Sequence, residues 1–283
     1  MKDLPRRGLT AVIFAAVMLA AIAWSRYSFA ALIFVIHAGS LYEYLRLIRV
    51  HQRYTEDQRQ GMMILTMLLG CGLHASVFIL IEDTFVFLLV WLVLPMMVIL
   101  FLVEYFFVDT EKKWKNALLN SGGLIYLTAF LFCFYALVAP PFLGTQPQWY
   151  PHYASMPLGI VLLIWANDTF AYFIGSMLGK NKILPSVSPK KSWEGFIGGV
   201  VFTCITAWLL SKNFTAWNPE QWMSIAMIVS VTGTIGDFFE SWLKRKAAVK
   251  DSGSVLPGHG GFLDRFDALI FCLPFVTAYL AFS

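Results

Sequence analysis

Nine apolar runs constrain this chain more than any other feature. They lie at about 8–24, 27–45, 61–81, 84–108, 117–139, 156–178, 195–211, 222–240 and 266–282, each near the roughly 20 residues that cross a bilayer as a helix. With 58% of its 283 residues hydrophobic and only 13% charged, the chain is far more apolar than a soluble domain. The expected fold class is all-α: a polytopic integral membrane protein with about nine transmembrane helices.

Lys2, Arg6 and Arg7 ahead of the first run imitate a secretory signal, but the polytopic pattern that follows favours an uncleaved first helix. Basic loops stay cytoplasmic, and the basic residues fall on alternate loops. Lys2, Arg6 and Arg7 stand at the N-terminus, Arg46, Arg49, Arg53 and Arg59 in the second loop, and Lys112, Lys113 and Lys115 in the fourth. Lys180, Lys182, Lys190 and Lys191 occupy the sixth, and Lys244, Arg245, Lys246, Lys250 and Arg265 the eighth, leaving only Arg26 and Lys212 for the other side. The expected topology has the N-terminus cytoplasmic and the C-terminus opposite. The net charge of +4, gathered on one face, suits lipid headgroups or nucleotide phosphates and not nucleic acid. Cys71, Cys133, Cys204 and Cys272 sit in apolar runs without metal or disulfide spacing, which reads as packing.

Residues 1–155 read as a scaffold of transmembrane helices and 156–283 as a catalytic transmembrane region with cytoplasmic motif loops, the two forming one membrane-embedded unit. In the first part Glu43 and Glu104 are expected at the membrane interface, and His37 and His74 as helix-packing groups. Pro140, Pro141, Pro147, Pro151 and Pro157 punctuate an outside connector.

Chemistry gathers from Trp165 onward, in four clusters. "WANDTFAYFIGSMLGK" places Asn167 and Asp168 inside an apolar helix, where a buried carboxylate is unfavourable. Asp168, Tyr172, Gly175 and Gly179 share a face at helical spacing, a pattern equally suited to a polar packing seam. In "SVSPKKSWEG", Ser188 is expected to cap a helix starting at Pro189, with Lys190 and Lys191 at an anion-favouring helix start; positive-inside anchoring is the plainer reading. "GTIGDFFES" puts Asp237 near the cytoplasmic end of a span, with Glu240 and Ser241 one turn on. In "KDSGSVLPGHGGFLDRFD" the glycines Gly260 and Gly261 let backbone approach a ligand, and Asp264 and Asp267 share a helix face.

Carboxylates from two helices beside phosphate-binding cations suit Mg²⁺-assisted phosphoryl or nucleotidyl transfer, because Mg²⁺ takes a few carboxylates together with phosphate oxygens and water. Asp237 and Asp264 are the leading metal pair; a second cation is left open. His259, with no second His or Cys at zinc spacing, reads as a substrate or backbone hydrogen-bond partner.

At these residues the sequence resembles the phosphatidate cytidylyltransferases, or CDP-diacylglycerol synthases. Their signature is matched by Ser241, Leu243, Lys244, Arg245, Lys250, Asp251, Gly253, Leu256, Pro257, His259, Gly260, Gly261, Phe262, Asp264, Arg265, Phe266 and Asp267. "NDTFAY", "GK" and "SPKKSWEG" look like its accompanying motifs, so the likeness runs from about Trp165 to Asp267. The resemblance implies that CTP and phosphatidate give CDP-diacylglycerol and pyrophosphate with a divalent metal. It also implies catalytic roles for Lys250, Asp251, His259, Arg265 and Asp267. Substrate contacts are implied for Asn167, Asp168, Ser188, Lys190, Lys191, Glu194, Lys244, Arg245, Gly260 and Gly261. Membrane lipids surround the chain, a homodimer is a family expectation, and the active site should face the cytoplasm, at an inner or plasma membrane if the source is bacterial. A CTP-using lipid kinase, an ether-lipid acceptor and a secondary transporter are the rival readings.

Overall fold

A chain in lipid must satisfy its backbone polar groups internally, which in a sequence of long apolar runs means helices. The structure, a computed structural model, describes residues 4–52, 54–80, 92–108, 113–138, 154–214, 216–253 and 260–283. Among these residues are α1 (Leu4–Trp24), α2 (Arg26–Ile48), α3 (Glu56–Leu80), α4 (Val93–Phe107), α5 (Lys113–Gly123), α6 (Phe130–Leu137), α7 (Ala154–Leu178), α8 (Trp193–Asn213), α9 (Pro219–Lys246) and α10 (Leu263–Phe282). One π-helical turn, Leu124–Ala129, joins α5 to α6 without a break.

Each of the nine expected runs falls on helix where it is described, apart from Val108 and Val138 just past the ends of α4 and α6. Among the described residues, six segments are by length and composition able to cross a membrane: α2 with its short 3₁₀ extension, α5–α6, α7, α8, α9 and α10. α1 and α4 carry shorter apolar stretches, Thr10–Trp24 and Val93–Phe106. Lys2, Arg53, Lys112, the first part of the fourth run and the connector with Pro140, Pro141, Pro147 and Pro151 lie outside the described residues. Pro157 belongs to α7 instead, lying inside the helix, where a proline supplies no ladder N–H.

The described residues are all-α apart from one short hairpin, which corrects the expected helix start at Pro189. Lys182–Leu184 (β1) and Ser188–Ser192 (β2) form an antiparallel hairpin between α7 and α8. Ser188 therefore starts a strand and caps no helix. The cap of α8 is Ser192, whose Oγ accepts from the Gly195 amide at 3.2 Å. Extended backbone through Ser188–Ser192 lets the segment pair with β1, which a helix starting at Pro189 would forbid.

Two helix groups meet at α10. In the first, α2 packs on α1 and α3; in the second, α8 packs on α7 and α9, and α9 on α10. α10 also contacts α6 and α2, joining the groups. The first group is cored by Phe29, Phe132, Phe134 and Tyr135, all fully buried. His37 and His74 stack there at 4.1 Å between ring centroids, and His37 Nε2 lies 2.9 Å from Thr128 Oγ1, so both histidines are packing groups. The described cysteines are all free.

The escape from burial expected of Glu43 and Glu104 as interfacial carboxylates is not found, because each is buried within the protein. Burial is tolerated because each has partners in the fold. Glu104 Oε2 accepts from the Tyr54 hydroxyl at 2.7 Å, and Glu43 accepts from the start of α10, as described below.

In the second group α7 crosses α9 where Gly159 lies flat against the fully buried Trp222 ring, leaving no room for a Cβ. Gly159→Ala should therefore lower stability by about 1–3 kcal/mol through overpacking. Thermal denaturation of the detergent-purified protein would show it; an unchanged midpoint would mean that this crossing has slack.

Candidate active site

Where α7, α9 and α10 converge, two cavities share a wall made by Asp168, Lys191 and Asp237. The first, of about 590 Å³, lies among α1, α7, α9 and α10. The second, of about 660 Å³, lies among α7, α8, α9 and the hairpin.

The hairpin delivers the lysines. Gly175 of α7 and Gly195 of α8 approach so closely that a Cβ on Gly195 would stand 2.7 Å from the Ala171 carbonyl oxygen and 3.0 Å from Gly175 Cα. That close crossing, of the kind small residues permit, seats β2 against α7 and α8, and Lys191 reaches Asp237 of α9 in an ion pair. Lys190 is exposed and, with Lys182 and Ser188, lines the second cavity. Glu194, an expected substrate contact, borders neither cavity. Its carboxylate accepts from the amides of Lys180 and Asn181 at 3.1–3.2 Å and from Asn181 Nδ2 at 2.7 Å, tying off the turn after α7.

On α9 the spacing of three and four residues puts Asp237, Glu240, Ser241 and Lys244 on the wall of the first cavity. Lys244 Nζ bonds Glu240 and reaches Asp264 Oδ1 at 2.6 Å. Asp264 Oδ2 accepts from the Ser252 amide at 2.9 Å and the Gly261 amide at 2.9 Å, and the Ser252 hydroxyl oxygen lies 3.0 Å from it. Gly260, with φ at +84°, makes the turn that aims the Gly261 N–H at this carboxylate, a conformation few side chains would accept. Asp267 and Arg265 also border the first cavity.

Some expected participants stand apart. Lys250 and Asp251 are exposed, border neither cavity, and lie in the turn before Ser252. Arg245 is exposed, donating to the Val249 carbonyl at 3.4 Å. His259 lies outside the described residues. Asn167 is buried, its Nδ2 directed at Asp168 Oδ1 at 3.4 Å and its own Oδ1 without a hydrogen-bond partner.

The sequence matches the cytidylyltransferase family over residues 5–283. The chain belongs to that family. It is similar to a Bacillus subtilis phosphatidate cytidylyltransferase, 32% identical over 99% of both chains. The phosphatidate cytidylyltransferase of Staphylococcus aureus strain COL is 46% identical over 42% of this chain and 46% of its own length, and that of Staphylococcus saprophyticus is 45% identical over the same shares.

In this cytidylyltransferase the first cavity is bordered by Asp168, Asp237, Glu240, Asp264 and Asp267 against Lys191, Lys244 and Arg265. With every carboxylate ionised, acids outnumber bases. All the acidic donors are hard oxygens, which suits Mg²⁺ and not a thiolate-seeking metal. Among the described residues no three His, Cys, Asp or Glu side chains group closely enough to hold an ion between them. The arrangement therefore fits an ion that takes one or two carboxylates and completes its shell with phosphate oxygens and water. Asp237 and Asp264 stand on the cavity wall for that, each paired here with a lysine.

Sequence reasoning missed Glu43 and Ser252, and missed that α1 contributes Thr10, Ala11, Phe14 and Ala15 to the first cavity. The Ser252 signal was available, since it follows Lys250–Asp251 inside the signature; nothing local marks Glu43.

Lys244 is the cation that bonds the buried Glu240, and it holds Asp264 as well. Lys244→Met should cost about 3–5 kcal/mol by leaving a buried charge unpaired, and adding Glu240→Gln should restore much of it. Denaturation of the two variants in detergent measures both; equal stabilities would overturn the pairing.

Proposed function

We propose that this chain transfers the cytidylyl group of CTP to phosphatidate, giving CDP-diacylglycerol and pyrophosphate. The observation that carries the reading is the pair of cavities meeting at Asp168, Lys191 and Asp237, supported by a full-length relative named phosphatidate cytidylyltransferase.

A phosphate monoester loses its second proton near pH 6, about one unit below neutrality, so the phosphatidate oxygen is already a nucleophile and needs no strong general base. It attacks the α-phosphorus of CTP; a new P–O bond forms, the α–β bridging P–O bond breaks, and its electron pair leaves on pyrophosphate. The chain's work is to align two polyanions and offset their repulsion. Lys191, Lys244 and Arg265 line the cavity for that purpose, and Lys182 and Lys190 face the second, with charge-assisted bonds to phosphate oxygens the strong kind.

Asp237 and Asp264 would hold Mg²⁺, which when bound supplies positive charge to the phosphates. Asp267, one turn beyond Asp264, stands beside the pair as a supporting carboxylate. Asn167 and Asp168 orient substrate or ligand side chains from α7.

The charge pattern of the loops supports nine spans, a cytoplasmic N-terminus, a C-terminus on the opposite side and an active site open to the cytoplasm. CTP would arrive from there, while phosphatidate enters sideways with its acyl chains in the bilayer. The glycines of "GSMLG" and "GFIGG" pack within the chain between α7 and α8, so a homodimer would draw on other surfaces.

The test is purified protein in mixed micelles with phosphatidate, Mg²⁺ and CTP labelled at the α-phosphorus. Label should enter the lipid with stoichiometric pyrophosphate, stop when EDTA removes the metal, and fall by at least about 100-fold in Asp237→Asn and Asp264→Asn. Unlabelled lipid with accumulating CDP would mean γ-phosphoryl transfer and would retire this reading.

A further inference from the structure

We propose that Glu43, on α2 and outside both cavities, is a positioning residue for the reaction, acting through Asp264. The inference rests on the reading of Asp264 given above, and its starting point is geometric.

Glu43 is 1% exposed, and both its oxygens are engaged across more than 200 residues of sequence. Oε1 accepts from the Phe262 amide at 3.0 Å. Oε2 accepts from the Leu263 amide at 2.9 Å and from the Ser252 hydroxyl at 2.6 Å. Phe262 and Leu263 open α10, so two of the amides that a helix start leaves unpaired are satisfied by a carboxylate from another helix. Negative charge at that end is favoured by the helix dipole.

The same serine completes the link. Ser252 Oγ lies 2.6 Å from Glu43 Oε2 and 3.0 Å from Asp264 Oδ2, and a hydroxyl has one proton to give. The closer oxygen is that of Glu43, so the hydroxyl proton points at Glu43 while the Ser252 and Gly261 amides hold Asp264. Removing charge at Glu43 frees that proton for Asp264 and loosens the amides that fix where α10 begins. Asp264 is the second residue of α10, so its carboxylate moves with that start.

Close packing leaves no alternative seating for the joint. Gly253 and Gly261 press on the Glu43 carboxylate with no room for a Cβ, and Gly39, one turn before Glu43, lies beneath the Phe262 ring, where a Cβ would approach to 2.5 Å. A residue that served only to fill space would not need both oxygens directed at N–H and O–H donors of one loop.

Glu43→Gln keeps the volume, and Ser252→Ala removes one hydroxyl. Three readouts apply to the full chain in detergent: kcat and KM for CTP and phosphatidate, the thermal midpoint, and hydrogen exchange at the amides of Gly261, Phe262 and Leu263. Glu43→Gln should lower kcat by about tenfold or more, the loss expected for a buried charged hydrogen bond, with each KM within about twofold, and speed exchange at those amides while α3 and α8 keep wild-type protection. Glu43→Asp should fall between wild type and Gln. Combining Glu43→Gln with Ser252→Ala should cost less than the product of the two, because both act through one joint.

Wild-type kcat with unchanged exchange at Gly261–Leu263 overturns the proposal. So does a loss of kcat matched by faster exchange throughout the protein, which is a general folding defect. If the wild-type chain turns over no CTP with phosphatidate, the functional reading fails by itself; unchanged exchange in Glu43→Gln would then overturn the joint separately, and selective loosening would uphold it.

Discussion

Carboxylates placed among apolar helices dominate the organisation of this protein. An ionised acid removed from water is strongly destabilising unless it is paired and hydrogen-bonded, and in a membrane-spanning helix the alternative partner, water, is restricted. Asp237 is held by Lys191, Glu240 by Lys244, Asp264 by Lys244 and two backbone amides, and Glu43 by two amides and a hydroxyl. Apart from Glu240–Lys244, which lies within α9, these pairings tie separate elements together: hairpin to α9, α9 to α10, α2 to α10. Those three ties place the side chains that border the first cavity, so the site and the tertiary fold rest on one set of contacts.

Small residues make the ties reachable. Lys191 meets Asp237 because β2 lies over the α7–α8 crossing, and that crossing is close because Gly175 and Gly195 face each other across it. Gly159 does the same for α7 and α9 by accepting the Trp222 ring. Without hydrophobic driving force between helices in lipid, packing of this kind supplies much of the association. The glycines that could be read as a dimerisation surface are thus spent inside the chain.

Helices and cavity-lining acids were legible in the sequence because both leave local periodic signals. An apolar run near 20 residues announces a span, and Asp237, Asp264 and Asp267 stood out as charges at helix ends with spacings of three that set them on one face. The hairpin was not legible: its strands are short, and Ser188–Pro189 imitates a helix cap and first turn as well as Ser192–Trp193 does. Only the pairing of Lys182 with Ser192 and Leu184 with Ser188 separates the two. Glu43 was illegible for a different reason. A lone acid near the end of an apolar run looks interfacial, and its partners, Ser252, Phe262 and Leu263, are distant in sequence, so no window contains the interaction. Glu104 misled in the same way, its partner Tyr54 lying 50 residues upstream.

The antiparallel arrangement of α9 and α10 explains why the acids of this site are held by two different kinds of partner. α9 ends where α10 begins, so the same face of the protein carries the negative end of one helix dipole and the positive end of the next. Asp264, in the first turn of α10, sits where negative charge is favoured, and backbone amides hold one of its oxygens. Asp237 and Glu240, in the last third of α9, sit toward the end that disfavours them, and each takes a lysine instead. A backbone amide is fixed by the fold, whereas a lysine on its flexible stem can exchange one anion for another. Asp264 is therefore the fixed point of the first cavity's wall, and Lys191 and Lys244 are its adaptable groups, the property that the proposed phosphate binding would draw on.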